Sequence, residues 1–140
     1  MHLAIDPGET TGWALFSSDG RLAMCGIGHP EGAPTLGVLI ERPRIYPHGR
    51  TKDPNSVLSV AINAGEWAGQ YRACGYVVDY VEPLRWKGQV PKDIHHARVF
   101  AKLDDHEKAI VDECGRGIAP SKRHNMIDAV GLGLYKVGRS

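Results

Sequence analysis

Three apolar stretches of this sequence are each broken by a single carboxylate, and that pattern limits what the chain can fold into more than any other feature. Leu3-Ala4-Ile5 stops at Asp6-Pro7-Gly8, Gly37-Val38-Leu39-Ile40 stops at Glu41, and Asp128 interrupts the small and apolar residues between Met126 and Leu134. Short apolar runs ended by Pro and Gly read as buried strands leading into turns, so Asp6 stands at a strand end. Glu41 closes a second such run, read as a central strand. Burying carboxylates close together is costly through desolvation and repulsion unless a cation neutralises them, and hard oxygen donors favour magnesium or manganese. A metal site shared by Asp6, Glu41 and Asp128 resolves that cost.

The rest of the chain supplies an α/β frame for such a site. Gly12 to Phe16 and Arg21 to Gly28 read as strands joined by Ser17-Ser18-Asp19-Gly20, whose Asp-Gly pair signals a hairpin. Three antiparallel strands in succession are expected, with Gly37 to Glu41 as a fourth strand after the Pro- and Gly-rich loop His29 to Leu36. Arg42 to Pro54 reads as an exposed loop. Val57, Val60, Ala61, Ala64, Ala68 and Tyr71 fall at helical spacing, with Asn55 or Ser56 as cap and Gly75 as stop. Tyr76 to Val81 is a fifth strand and Glu82 to Pro91 a loop bearing Trp86 and Lys87. Asp104 and Glu107 form a capping box for a helix that Gly115 ends, and Pro120-Ser121 opens a last helix to about Val137. The expectation is one α/β domain over residues 1–140, a mixed five-stranded sheet flanked by helices.

His124 and Asp128 are four residues apart and so project from one face of that last helix, which can supply two ligands. Ala129, Gly131 and Gly133 lack bulk, although glycine costs ~1 kcal/mol in a helix interior relative to alanine. Close approach of the helix to a sheet explains them.

No apolar run approaches the ~20 residues needed to cross a bilayer, and Asp6 interrupts the N-terminal run too early for a signal peptide, so a cytoplasmic location is expected. Cys25, Cys74 and Cys114 form no CxxC pair, which indicates neither a disulfide framework nor a zinc site. The formal net charge of +1 is mild for a nucleic-acid binder, so the distribution of charge carries that argument. Basic residues cluster at Arg42, Arg44, Arg50 and Lys52, at Arg85, Lys87 and Lys92, and at Lys122 and Arg123.

Each chemical reading has a plainer one beside it. Asp6 before Pro7-Gly8 also suits a simple turn. Glu41 also suits a surface pair with Arg42 or Arg44, His124 a capping or surface position, Asn125 a structural one, and Trp86 a place in the core.

The segments Ala4-Ile5-Asp6-Pro7-Gly8-Glu9-Thr10-Thr11-Gly12-Trp13-Ala14, Ile40-Glu41-Arg42-Pro43 and His124-Asn125-Met126-Ile127-Asp128-Ala129-Val130-Gly131-Leu132-Gly133 together resemble the RuvC family of Holliday junction resolvases, nearest to the short RuvC-like proteins of bacteriophages. Val81 to Gly88 resembles the loop after the fifth strand of those phage proteins. The resemblance implies a ribonuclease H-like fold and a homodimeric endonuclease of DNA recombination and repair. It implies cleavage of four-way DNA at one acidic site per subunit, with two magnesium or manganese ions there. Asp6, Glu41 and Asp128 match the family's acidic residues. Family members carry Asp or His three residues before the last aspartate, where this chain has Asn125, with His124 one residue further back. His124 is the favoured fourth catalytic group, and Asn125 a weak metal ligand through its amide oxygen. Arg42, Arg44, Arg50, Lys52, Trp86, Lys87, Lys122 and Arg123 are the expected contacts to DNA phosphates, with Trp86 a stacking surface for a base.

Other classes share parts of this pattern. Asp6-Pro7-Gly8 with Gly12 resembles the first phosphate loop of the actin and sugar kinase ATPases, but no second Asp-x-Gly element follows. A ribosomal RNA-trimming nuclease of the same fold and a DNA-binding module without activity are the remaining alternatives.

Overall fold

A computed structural model describes residues 1–32, 36–45 and 53–140. Its centre is strand β1 (His2–Asp6), which pairs antiparallel with β2 (Gly12–Phe16) on one side and parallel with β4 (Gly37–Glu41) on the other. β3 (Leu22–Ile27) extends the sheet beyond β2 and β5 (Val78–Val81) beyond β4, giving the order β3-β2-β1-β4-β5. The first three strands form the expected antiparallel succession. At the Asp19-Gly20 hairpin, Gly20 adopts φ +85, which a residue without Cβ reaches at no steric cost.

Side chains alternate across the sheet and settle which helix covers which face. Leu3, Ile5, Trp13, Leu15, Val38 and Ile40 point to one side, where helix α1 (Pro54–Ala73) meets them with Ala64, Ala68 and Tyr71. Ala4, Leu39 and Val81 point to the other side and meet Leu132 of helix α5 (Arg123–Lys136). Ala14 and Phe16 join α5 there through Met126, Ala129, Val130 and Leu134, with Val99 and Val111 behind them. Full burial of each such Leu, Ile or Phe contributes roughly 1.5–3 kcal/mol.

Four features differ from the sequence reading. Helix α1 is capped by Asp53, whose carboxylate accepts from the Asn55 N–H at 3.0 Å, so Pro54 begins the helix and does not end a loop. Pro83–Trp86 (α2) is a one-turn helix inside the expected Glu82 to Pro91 loop, because Pro83 is preset for the first helical position. Lys92–Ala101 forms an unanticipated helix, α3, which follows Pro91 without a side-chain cap. Before α5, Pro120–Lys122 is a separate 3-10 turn.

Helix α4 (Asp105–Gly115) opens with both halves of the expected capping box: Asp104 accepts from the Glu107 N–H at 2.8 Å, and Glu107 accepts from the Asp104 N–H at 3.1 Å. The cysteines are free, with Cys25 buried, Cys114 partly so and Cys74 exposed. Among the described residues no helix is long and apolar enough to cross a membrane.

Candidate active site

Because β1 and β4 run parallel with Ile5 opposite Ile40, Asp6 and Glu41 stand side by side at the same end of the sheet. Alternation places both on the face of Ala4 and Leu39, which is the face covered by α5. Gly12, the partner of Asp6 in β2, is where α5 comes closest: a Cβ there would overlap the backbone carbonyl of Asn125. That contact seats the first turn of α5 beside the strand ends, and Asp128, only 6% exposed, follows one turn later. Gly133 lies under the Phe16 ring of β2, as close helix-sheet approach requires. Gly131 makes room instead for Trp86 and Val99.

The three carboxylates sense one another. Burial raises the pKa of Asp6 well above the ordinary range, and the charges of Glu41 and Asp128 push it further, against the pull of Lys87 and Lys92. Among the described residues no donor hydrogen-bonds to Asp6. Burial also raises Glu41, offset by Lys87 and by the Trp86 indole. Glu41 accepts from Trp86 Nε1 at 2.8 Å and pairs with Lys87 at 3.5 Å, while Arg44 pairs with Glu82 at 3.0 Å. Burial opposes the charge on Lys87, but Glu41, Asp128 and Asp6 outweigh it and raise its pKa.

Asp128 faces α3. Its Oδ1 lies 2.9 Å from His96 Nε2 and 3.8 Å from His95 Nε2, and its Oδ2 lies 4.0 Å from Lys92 Nζ. Burial lowers the pKa of His95, with Asp128 pulling the other way. The sequence reading missed both histidines. Their signal was the i,i+4 spacing of His95 and Val99, the two buried residues of α3, just after Pro91.

The remaining expected residues lie around this cluster. His124 is half-buried and makes no hydrogen bond or ion pair with the three carboxylates among the described residues. Asn125 turns its amide back to donate to the Lys122 carbonyl at 3.3 Å. Trp86 points inward, its ring edge against His95 and the Lys87 ammonium 5.0 Å from its centre. Arg42 and Arg44 are exposed and line a groove of about 560 Å³ with Ile45, Leu58 and Tyr80. Lys122 and Arg123 are exposed at the start of α5, and Arg123 donates to the Ile118 carbonyl. Arg50 and Lys52 lie outside the described residues.

Three carboxylates and two ammonium groups leave the cluster short of positive charge, and Asp6 without a donor. Oxygen donors of this kind suit a hard divalent cation. Among the described residues no three His, Cys, Asp or Glu side chains are placed to share one ion, and Lys87 and Lys92 stand against two of the carboxylates.

A mixed five-stranded sheet in this order, flanked by helices, with carboxylates at the ends of its first and fourth strands, is the ribonuclease H-like fold. No family model and no curated protein matches the sequence. Among solved structures the chain is similar to Thermus thermophilus RuvC in complex with Holliday junction substrate. The TM-score is 0.54 at 17% identity, covering 94% of this chain and 90% of that one. A second Thermus thermophilus RuvC structure gives a TM-score of 0.48 at 18% identity, covering 98% of this chain and 96% of that one. What the junction-bound protein shares with the chain is its fold.

Proposed function

We propose that this protein is a metal-dependent endonuclease that cuts branched DNA, four-way junctions above all, by paired nicks from the two subunits of a homodimer. The observation that carries the reading is the convergence of Asp6, Glu41 and Asp128 at one end of a RuvC-like sheet. The neighbour of that fold was captured on a Holliday junction. Asp6, Glu41 and Asp128 are the residues to hold magnesium or manganese. When bound, such ions activate water for in-line attack on a phosphodiester and stabilise the leaving oxygen. Lys87 and Lys92, now facing the carboxylates, are free to meet the phosphate once cations take over the neutralising role. Exposed Arg42, Arg44, Lys122 and Arg123 flank the site and suit the backbone phosphates of the junction arms, contacts that position DNA without reading its sequence. Its place of work is the cytoplasm of a bacterial or phage-infected cell.

The test is cleavage of a labelled four-way junction beside matched linear duplex and RNA–DNA hybrid, with magnesium or manganese, by the wild type and Asp6→Asn. Paired symmetrical nicks in the junction alone, abolished by the substitution and by chelator, are expected. Junction binding without a cut would make the protein a non-catalytic DNA-binding module. Cleavage confined to RNA or hybrid would make it a ribonuclease.

A further inference from the structure

The sequence pattern seeks a fourth donor on α5, one turn before Asp128. The structure offers one on α3. His95 is 8% exposed, and its Nε2 is buried without a hydrogen-bond partner among the described residues, 3.8 Å from Asp128 Oδ1. A buried polar atom left unpaired is costly and uncommon, so this nitrogen calls for a partner that the protein alone does not provide.

Packing, not hydrogen bonding, aims the ring. It stands edge-on to Trp86, with 5.0 Å between ring centres and an angle of 72°, and it lies over Gly131, where a Cβ would come within 3.5 Å of Nε2. The backbone N–H of His95 donates to the Pro91 carbonyl at 3.0 Å and fixes the start of the helix. Beside the ring, a cavity of about 200 Å³ is lined by Lys87, Val90, Lys92, His95 and Asp128. His96 meanwhile sits at 2.9 Å from the same Asp128 oxygen, the arrangement by which an outer imidazole orients a carboxylate ligand. Two neighbouring donors each ~2.1 Å from one octahedral ion lie ~3 Å apart, so from 3.8 Å a small approach of His95 Nε2 to Asp128 Oδ1 lets the two share a cation.

We propose that His95 Nε2 ligates the cation held by Asp128, with His96 orienting Asp128 for it, so that the site's imidazole comes from α3 and not from His124 or Asn125 of α5. This inference rests on the metal-dependent reading above. A nitrogen donor among carboxylates favours manganese over magnesium, which takes oxygen almost exclusively.

Pulsed electron paramagnetic resonance on the full-length protein loaded with manganese tests it, because a ligating imidazole imprints a nitrogen modulation on the bound ion. The wild type should show that modulation. His95→Gln should abolish it and weaken manganese binding by about 10-fold or more, with circular dichroism reporting that the fold is kept. His96→Gln, His124→Gln and Asn125→Ala should each retain it. A manganese-loaded wild type without nitrogen modulation overturns the proposal, as does a signal that disappears with His124 or His96 instead. Junction cleavage by a protein lacking the modulation would leave the nuclease reading standing and remove this one. Failure to bind manganese at all would remove both.

Discussion

Asp6 has its charge opposed by burial and by two neighbouring carboxylates, which outweigh the pull of Lys87 and Lys92. Its pKa is raised in the folded state, so its favourable contribution is complete while it is protonated and is lost as pH climbs through the raised value. In chelator, the melting temperature should therefore fall as pH rises above about 4, where an unfolded aspartate is already ionised. Asp6→Asn should flatten that dependence and raise the metal-free melting temperature near neutral pH, even as it abolishes cleavage. Scanning fluorimetry across pH, with and without manganese, reads both effects, and an unchanged profile would refute the cluster's electrostatics. Glu107 behaves oppositely. It is fully buried, which works to raise its pKa, yet bonds from Arg139 and from the Leu22 and Asp104 amides hold it down to about 2. Its stabilisation is present above the ordinary glutamate range and fades only as pH falls toward 2, so the two effects occupy separate windows. The three acidic residues were legible because each is a charge against an apolar run. His95 and His96 were not, because α3 lacks a side-chain cap and its buried residues are only two.

At the scale of elements, the site depends on how closely α5 lies on the sheet. Gly12→Ala forces a Cβ into the Asn125 carbonyl, and backbone cannot rotate away as a side chain can. A loss of roughly 1–3 kcal/mol or more is expected, together with a drop in cleavage as Asp128 shifts from Asp6. Urea unfolding and a junction assay measure the two, and a fully active Gly12→Ala would contradict the packing. A second joint ties β3, α4 and the chain after α5 together. Arg139 meets Glu107 through two bonds of 2.7 and 2.8 Å and also reaches the Gly20 and Lys102 carbonyls. Arg139→Ala removes the cation beside Glu107 and leaves its buried carboxylate only the Leu22 and Asp104 amides, a change expected to cost about 3–5 kcal/mol by denaturant titration. The capping box at Asp104 was legible because both its members are local in sequence. Gly12's partner was not, since nothing local announces a contact with Asn125. The cap of α1 was misread because Asn55 and Ser56 are good capping residues too, and Pro54 at the first helical position decides for Asp53.

For the whole molecule, the five strands and the mixed sheet followed from apolar runs and turns, whereas the basic surface was visible only as clusters whose partners the sequence does not give. Arg44 turned out to face Glu82, and Trp86 to face Glu41. With a net charge of +1, junction binding should weaken steeply as salt increases, because local phosphate contacts supply it. Replacing one phosphate-contacting residue lowers the salt slope by about one per copy. Arg42→Ala should therefore lower it by about two if a symmetric pair of chains engages the junction. A change of about one would speak for a single chain, and no change would remove Arg42 from the interface. The arrangement of β1 adds a consequence in time. This central strand takes β2 from just after itself, β4 from further along, and its covering helix from the far end of the sequence. Distant pairings close slowly because chain entropy is spent before contacts repay it. On refolding, strands and helices should appear first and the acidic cluster last, so a newly made chain cannot bring Asp6, Glu41 and Asp128 together until β1 and α5 have met.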